Sequence, residues 1–593
     1  MKFFTYRKLF SLLIFLLSGA ASETYAQRVY SVVFTQLPKD MQLYARGDNN
    51  LAEVPIAGFI EIPGWNHFSV ITYRNGQRVG YNKSVLNYAG KNSATFEMKP
   101  TIKAELADYS FEVFACTLKD SISMITRNDV VAGDFFVISG QSNASATMFG
   151  SWSSKYARTV ARIPDDSPAI TAADTNWIPS AWSWTYVGAW GLELQRSIIE
   201  QEGIPTCIIN GSLPGKKLSE FLVRDDANPA SPSSLYGSLL YRVAKAKPTR
   251  IRAFFWMHGE QEVFEYIPNY AAEYDLLYKN WVKDYPLVEK FIVVQTNIIL
   301  LNHNNPNSVA GSVRDFLRRT KYLYPKTDHF TPIAVPGYDG VHYTRAGFEE
   351  IGRRFFRFIR PSVYKSTDTD NVQCPDIIKA AYSSEKKDEI VLTFDEGQVL
   401  KWSADTTVKG ENGQPLLLSL KNFFYLDGDE TKQPVLSGKV DGNKVILTLK
   451  EPATATKITY LPSVFPANLP EPAGLKIGFL SGPFLVNKRG LGAFSFYNVA
   501  IESPPILGVE PIAKDLIWKI YPNPASTLLQ VDFVQSVSGN LEIYDVKGQK
   551  YHMSQLKAKK NLEVNIAMWP AGLYILSLKN ANGAVTTQKI VKQ

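Results

Sequence analysis

The feature of this sequence that most constrains its fold is a regular alternation of short apolar runs and longer amphipathic stretches between about residues 133 and 362. The apolar runs have the length of strands and are almost continuously hydrophobic, as strands are when both of their faces are buried. The stretches between them carry apolar residues at helical spacing. This alternation predicts a parallel sheet with helices on both faces. The predicted strands are 134–139, 206–210, 250–257, 290–297 and 331–335.

The sequence on either side of this region is rich in β-branched and aromatic residues in short runs, which are typical of strands. Near the N-terminus, Asn75-Gly76 separates two such runs and predicts a tight hairpin turn. We therefore expect a multidomain chain with a central α/β domain flanked by β-sandwich domains. The predicted segments are a signal peptide at 1–26, a β-sandwich at 27–128, the central domain at 129–365, a second β-sandwich at 366–503, a linker at 504–516 and a C-terminal β unit at 517–593.

The N-terminal segment has the layout of a secretory signal peptide, in which basic residues precede a short apolar run and a cleavage point. The apolar run is 9–17, and the cleavage point is Ala26. The run is too short to cross a bilayer and no later stretch is long enough, so we expect no transmembrane segment in the mature chain. The formal net charge of +8 comes from scattered Lys and Arg residues, which disfavours nucleic acid as a partner.

Polar residues stand directly after several predicted strands, where ligands bind in open parallel sheets. The first strand is followed by Gly-Gln-Ser-Asn at 140–143, and a serine held there can act as a nucleophile. An ordinary Ser/Asn turn cap is the alternative. Near the last strand, Asp339 stands three residues before His342. The His can take the serine proton while the Asp orients its ring; a turn Asp beside an incidental surface His is the alternative.

Two more strand ends carry candidate donors to an oxyanion. Gly215 lies in the loop after 206–210, and a glycine there lets a backbone N–H approach a developing negative charge. A phosphate-binding loop is the competing interpretation, but the glycine spacing fits it poorly. His258 follows 250–257 and can donate an N–H or cap a loop. The sequence contains neither an HExxH motif nor a Cys/His cluster, so we expect no metal and no organic cofactor.

Taken in this order, the blocks resemble the SGNH (GDSL-like) hydrolase superfamily, in particular its sialate O-acetylesterase-like branch. The Gly-Gln-Ser-Asn block of that branch is intact at 140–143. Its Trp-x-Gln-Gly-Glu block reads Trp-Met-His-Gly-Glu at 256–260, and its Asp-x-x-His block stands at 339–342. The resemblance covers about residues 130–362 and implies a flavodoxin-like α/β domain with a parallel sheet.

Carried over residue by residue, the resemblance implies that Ser142 is the nucleophile, His342 the general base and acid, and Asp339 its orienter. It places the backbone N–H groups of Ser142 and Gly215 at the oxyanion, together with His258 in the position of the family's Gln. The further residues that we expect to contact substrate are Gln141, Asn143, Glu260 and Trp184.

The C-terminal unit resembles the sorting domain of the type IX secretion system of Bacteroidetes. The matching motifs are Tyr-Pro-Asn-Pro at 521–524, the run 540–548, Gly-Leu-Tyr at 572–574 and the basic end at 589–592. The resemblance implies that the type IX secretion machinery is a partner, and that the protein is released or attached to the cell surface after passing the periplasm. An appended adhesive β module is the alternative.

These features together predict a secreted serine esterase that removes O-acetyl groups from a carbohydrate, either sialic acid or a polysaccharide, through an acyl-enzyme intermediate. Two alternatives stay open. One is an esterase of the same fold that acts on a non-carbohydrate ester, and the other is a non-catalytic carbohydrate-binding surface protein.

Overall fold

The computed structural model describes residues 27–29, 31–147, 152–160, 175–180, 187–300, 308–409, 415–465, 482–503, 518–580 and 585–593. The predicted signal peptide and Trp184 lie outside these residues. The protein is multidomain and rich in β-structure, and it divides into two compact units, Met1–Ser503 and Pro504–Gln593. Within the described ranges, no helix is long and apolar enough to cross a membrane.

The first unit begins with two antiparallel layers that share an apolar core. Its first ten strands are β1 (Gln27–Val29), β2 (Val32–Gln36), β3 (Leu43–Ala45), β4 (Leu51–Glu53), β5 (Ile56–Ile60), β6 (His67–Arg74), β7 (Gln77–Val85), β8 (Ala94–Met98), β9 (Thr101–Lys103) and β10 (Tyr109–Cys116). One layer has the order β1-β2-β5-β8, and the other contains β7, β6 and β10. The β6–β7 turn is Asn75-Gly76, with φ angles of 48° and 77°, so the predicted hairpin is confirmed.

Strand β11 (Ser121–Gly140) connects these layers to the central sheet. Its first half pairs antiparallel with β10 and is partly exposed. From Val130 onward every residue is buried, and this second half pairs in parallel with two later strands. The predicted domain boundary at residues 128–129 therefore falls inside one continuous strand. The sequence pattern changes there because the strand enters an environment that is covered on both faces.

The central sheet is built mainly from parallel strands around the second half of β11. The further strands of this region are β12 (Ala157–Val160), β13 (Trp177–Pro179), β14 (Thr206–Asn210), β15 (Ala253–Met257), β16 (Phe291–Val294), β17 (Ile299–Leu300) and β18 (Thr327–Phe330). The parallel order is β12-β14-β11-β15-β16-β18, and β13 pairs antiparallel with β12. The predicted strand 331–335 is wrong, because the strand ends at Phe330. Pro332 has no N–H for a ladder and Ala334 has a φ of 63°.

Helices cover both faces of this sheet. They are α1 (Ser142–Ser145), α2 (Ala189–Glu202), α3 (Leu218–Phe221), α4 (Leu235–Ala246), α5 (Glu260–Phe264), α6 (Tyr270–Asp284), α7 (Ala310–Leu323) and α8 (Arg345–Tyr364). Side chains of α2 and α8 share a core with Phe136 and Ile138 of β11, whereas those of α4, α6 and α7 share a second core with Phe135 and Val137. Alternate residues of β11 thus face opposite helical layers.

A second β-rich region completes the first unit. Its strands are β19 (Ile377–Tyr382), β20 (Glu389–Phe394), β21 (Leu400–Lys401), β22 (Thr406–Lys409), β23 (Pro415–Leu418), β24 (Phe424–Leu426), β25 (Val435–Asp441), β26 (Lys444–Leu449), β27 (Lys457–Tyr460), β28 (Val464–Phe465), β29 (Val486–Asn487) and β30 (Phe496–Glu502). Seven of them form a mixed sheet in the order β24-β27-β30-β19-β20-β26-β25.

This region is attached to the central domain by buried polar contacts. Arg314 of α7 donates to the Ser463 carbonyl at 3.0 Å and to the Ser495 hydroxyl at 3.1 Å. The Gln295 amide, directly after β16, accepts from the Ser495 N–H at 3.1 Å and donates to its carbonyl at 2.8 Å. Strand β28 also pairs with β17. The second β region therefore reaches the carboxyl-end side of the parallel strands.

The second unit is a small antiparallel β structure with its own core. Its strands are β31 (Trp518–Tyr521), β32 (Leu528–Asp545), β33 (Lys550–Asn565), β34 (Gly572–Asn580) and β35 (Val585–Lys592). They are arranged in the order β31-β32-β34-β35, with β33 paired to β32. Apolar side chains from all five strands, such as Trp518, Leu541 and Ile590, are buried together.

Candidate active site

The loop after β11 holds Ser142 at the carboxyl end of the sheet. Gly140 ends the strand with a φ of 132°, and a Cβ atom at this position would lie 2.0 Å from the Met257 carbonyl oxygen. Only glycine permits this close approach of two neighbouring strand ends. The chain then turns into the single helical turn α1, which begins at Ser142 and leaves its side chain partly exposed.

The loop before α8 brings His342 to the same point. The Nε2 atom of His342 lies 2.9 Å from the Ser142 hydroxyl oxygen, a normal hydrogen-bond distance. Both side chains are partly exposed, so a substrate can reach them. The structure thus brings together the two residues on which the predicted chemistry depends.

Asp339 supports His342 through the backbone. One carboxylate oxygen of Asp339 accepts from the N–H of Val341 at 2.9 Å and from that of His342 at 2.7 Å. The Asp339 N–H in turn donates to the His342 carbonyl at 2.9 Å. Among the described residues, its carboxylate makes no hydrogen bond to the His342 ring. The predicted orienter therefore holds the turn that carries the imidazole, rather than the imidazole itself.

Three residues that we expected to contact substrate are instead buried and connect the loops. The Gln141 side-chain carbonyl accepts from the Gly259 N–H at 3.1 Å. The Asn143 side-chain amide donates to Glu260 at 2.7 Å and to the Val341 carbonyl at 2.9 Å. Gln141, Asn143 and Glu260 are each only 2% exposed. They therefore present almost no surface that a substrate could contact. Their positions correct that expectation.

The loop after β14 carries Gly215 and is attached to the nucleophile loop. The Leu213 N–H donates to the Gly140 carbonyl at 2.9 Å, and the Ser212 and Ser145 hydroxyls are 2.8 Å apart. Gly215 is exposed and has a φ of 68°. Within the part of the chain that the structure describes, neither its N–H nor that of Ser142 has a hydrogen-bond partner.

His258 lies in a different environment from the one we predicted. Its ring is fully buried, and its Nε2 atom lies 2.9 Å from the Lys216 carbonyl, to which it donates. The ring stacks on Trp256 with centroids 4.8 Å apart. Burial lowers the pKa of His258 to about 3, so the ring is neutral and has one N–H. That N–H is already used, which corrects the expectation of an oxyanion donor at His258.

Glu262 is a buried neighbour of His258 that the sequence analysis missed. A carboxylate oxygen of Glu262 lies 3.6 Å from the His258 Nδ1 atom, and the other accepts from the Leu218 N–H at 2.6 Å. Burial raises the pKa of Glu262 to about 7. Together, His258 and Glu262 hold the backbone on the C-terminal side of Gly215. Their spacing gave no signal, because His258 precedes Gly259 and lies outside the helix that carries Glu262.

The remaining features of the site are its Trp residues and its potential metal ligands. Trp184, the remaining candidate for substrate contact, lies outside the described residues. Trp190, at the start of α2, is buried and donates to the Asn143 carbonyl at 3.0 Å. Within the described ranges, no group of three or more His, Cys, Asp and Glu side chains is placed to hold a metal ion.

The C-terminal unit has a counterpart among known families. Residues 519–593 match the family of the secretion system C-terminal sorting domain. The chain carries a secretion tail. This tail directs proteins through the type IX secretion machinery, so the protein is secreted or displayed at the cell surface.

The chain is also similar to several solved structures of low sequence identity. A carbohydrate acetylesterase from Xanthomonas citri is 17% identical, with a TM-score of 0.49, over 77% of this chain and 97% of that protein. A protein from Arabidopsis thaliana is 16% identical, with a TM-score of 0.29, over 38% and 96%. An acetylxylan esterase from Geobacillus stearothermophilus is 16% identical, with a TM-score of 0.25, over 38% and 93%. No curated protein matches the sequence significantly.

Proposed function

We propose that the protein is a secreted serine esterase that removes O-acetyl groups from carbohydrates. The observation that carries this proposal is the distance of 2.9 Å between the Ser142 hydroxyl and the His342 imidazole. The two groups stand at the carboxyl ends of parallel strands, where sheets of this kind bind ligands. A serine hydroxyl becomes a nucleophile when an adjacent base accepts its proton.

The reaction proceeds in two acyl transfers. The Ser142 oxygen attacks the ester carbonyl carbon while His342 takes the hydroxyl proton. The tetrahedral intermediate collapses as His342 gives this proton to the sugar oxygen, and the ester C–O bond breaks. Water then attacks the acetyl-serine, with His342 again as the base. Acetate leaves, and Ser142 regains its proton.

The backbone supplies the donors for the negative charge of both intermediates. The N–H groups of Ser142 and Gly215 are the candidates, because neither has a partner among the described residues. Donors of this kind each contribute about 3–4 kcal/mol to stabilising the transition state. Two backbone donors make a side-chain donor from His258 unnecessary.

The proposal includes a flavodoxin-like hydrolase domain. In chain order, strands β11, β14, β15, β16 and β18 take the spatial order 2-1-3-4-5. This is the order of doubly wound flavodoxin-like sheets, which bind their ligands at the carboxyl ends of the strands. The order supports the SGNH assignment suggested by the three motif blocks.

Secretion narrows the substrate class. The sorting tail sends the protein outside the cell, where the esters that it meets include acetylated polysaccharides and sialic acids on glycans. The motif blocks resemble the sialate O-acetylesterase-like branch, which favours an acetyl ester on a sugar. We propose an O-acetylated carbohydrate, with sialic acid and acetylated xylan as the two substrates to compare.

The role of Ser142 is tested with a chromogenic acetyl ester. We expect Ser142→Ala to lower kcat by about 10⁴-fold or more while the thermal unfolding midpoint stays the same, because the nucleophile is lost and the fold is kept. Full activity in this variant would contradict the proposal. A folded wild-type protein without esterase activity would favour a non-catalytic binding role.

The substrate class is tested separately on the wild-type protein. We expect acetate release from acetylated sialic acid or acetylated xylan, and faster hydrolysis of acetyl esters than of long-chain acyl esters. A preference for long acyl chains would assign the same catalytic pair to a non-carbohydrate ester.

A further inference from the structure

Glu260 is a buried acid at the centre of the site. It begins α5 directly after Gly259, and its side chain is 2% exposed. Among the described residues, no Lys or Arg forms an ion pair with its carboxyl group. An acid without a nearby cation is costly to bury. Its position is not explained by packing alone, since an apolar side chain would fill the same space without that cost.

The Glu260 carboxyl group connects to both catalytic loops through one amide. A carboxylate oxygen accepts one hydrogen of the Asn143 side-chain amide at 2.7 Å. The other hydrogen of that NH₂ group goes to the Val341 carbonyl at 2.9 Å. Asn143 directly follows Ser142, and Val341 directly precedes His342. A single side-chain amide therefore ties the nucleophile loop to the histidine loop.

Glu260 also fixes which way this amide points. An Asn side chain has a donor end and an acceptor end, and a flip exchanges them. The Val341 carbonyl and the Glu260 oxygen both accept hydrogen bonds, so only the NH₂ end satisfies them. The Asn143 oxygen is left buried without a partner among the described residues. The two hydrogen bonds outweigh this cost, and Glu260 supplies one of them.

We propose that Glu260 is a positioning residue whose carboxyl oxygen orients the Asn143 amide and so sets the spacing of Ser142 and His342. This inference rests on the esterase function proposed above. Burial raises the pKa of Glu260, which favours the neutral acid. A neutral carboxyl still has an oxygen that accepts from Asn143, so the hydrogen bond, and not a negative charge, carries the effect.

The experiment uses the full-length secreted protein and three variants. Glu260→Gln keeps an oxygen acceptor, and Glu260→Ala removes it. Gln261→Ala is the matched control, because Gln261 is the neighbouring residue on α5 and bonds to Glu265 on the surface. The measurements are kcat and KM for a chromogenic acetyl ester, with thermal unfolding to establish that each variant is folded.

We expect Glu260→Ala to lower kcat by about 100-fold with little change in KM, because a displacement of about 1 Å at the reacting groups has an effect of this size. Glu260→Gln should retain kcat within about 5-fold of the wild type, and Gln261→Ala should match the wild type. The inference is overturned if Glu260→Ala is folded and fully active. It is also overturned if Glu260→Gln is as slow as Glu260→Ala, since charge would then be the essential property.

A double-variant cycle tests the route through Asn143. If Glu260 acts through this amide, Asn143→Ala combined with Glu260→Ala loses no more activity than the slower single variant. If the activity loss of the double variant equals the product of the two single losses, the inference is overturned. If the Ala variant does not fold, Glu260→Met takes its place in the cycle, because Met has a similar volume and no oxygen acceptor.

A serine-reactive fluorophosphonate separates this inference from the function on which it rests. Labelling of the wild type at Ser142, absent in Ser142→Ala, establishes the nucleophile independently of any substrate. Absence of labelling in the wild type would defeat the esterase proposal itself. Labelling of Glu260→Ala at the wild-type rate would defeat only the role of Glu260.

Discussion

Ser142 and His342 are 200 positions apart in the chain and 2.9 Å apart in space. The residues around them act mainly by holding the two loops. The side chains of Gln141, Asn143 and Glu260 are buried, and each forms at least one hydrogen bond that connects neighbouring loops. A motif identifies residue types and their order, but it contains no information about which way each side chain points. Residues that flank a nucleophile in sequence can therefore be buried and hold its loop in place, without contacting the substrate.

Asp339 permits a prediction at this scale. Its oxygen caps the turn before His342, and an Asn oxygen can make the same bonds. We expect Asp339→Asn to lower kcat by about 10-fold or less and Asp339→Ala by about 100-fold, because only the Ala variant releases the turn. The measurement is kcat with a chromogenic acetyl ester. A loss near 10⁴-fold in the Asn variant would show instead that the carboxylate orients the imidazole during turnover.

The arrangement of elements explains why the loops meet. Strands β11, β14 and β15 are parallel neighbours, so their carboxyl ends lie at one edge of the sheet. The loops that follow them carry Ser142, Gly215 and His258. Helix α5 begins immediately after the β15 loop and places Glu262 under the loop of Gly215. His258 and Glu262 thus hold the loop of Gly215 from the interior of the domain.

The two buried groups give opposite pH dependences of stability. The pKa of Glu262 rises from 4.5 to about 7 on folding, so its contribution to stability is lost as the pH rises between these values. The pKa of His258 falls from 6.5 to about 3, so its contribution is lost as the pH falls between these values. Each of these changes amounts to about 3–5 kcal/mol.

Unfolding midpoints measured against pH check this pair. Relative to the wild type, Glu262→Gln should gain stability as the pH rises from 4.5 towards about 7. Relative to the wild type, His258→Gln should gain stability as the pH falls from 6.5 towards about 3. If the plots of unfolding midpoint against pH run parallel for the wild type and both variants, neither group changes its pKa on folding.

The chain divides into a unit that contains the candidate site and a unit that contains the sorting domain. The first unit, up to Ser503, contains the central sheet, both β regions and every residue of the candidate site. The second unit has its own apolar core and matches the sorting family. The sorting domain and the site of the proposed hydrolysis therefore belong to separately packed parts of one chain.

Removal of the second unit tests this division. We expect a chain that ends at Ser503 to keep kcat/KM for a chromogenic acetyl ester within about 3-fold of the full-length value, because all candidate donors and the Ser142–His342 pair remain. The same chain should be retained in the periplasm of a host with type IX secretion. Loss of hydrolysis together with export would show that the second unit takes part in the catalytic fold.

Local patterns were sufficient to predict several features of this protein. The Asn-Gly hairpin, the motifs of the sorting tail and the candidate Ser–His pair all depend on short-range chemistry or on residues with few alternatives. The polar strand ends predicted one shared edge, because parallel strands place their carboxyl ends together. The short strand expected at 331–335 was misplaced, since proline and a positive φ act against its apolar composition.

Contacts between distant segments determined the rest. The oxyanion role expected of His258 and the substrate contacts expected of Asn143 and Glu260 depended on burial and on partners that lie far away in the chain. A buried polar group takes whichever partner the fold brings within hydrogen-bond range, since an unpaired one is costly. The amino-acid sequence thus identifies the candidate reacting groups. The packing of the loops after β11, β14 and β15 and before α8 determines which polar residues are accessible and which hold the site together.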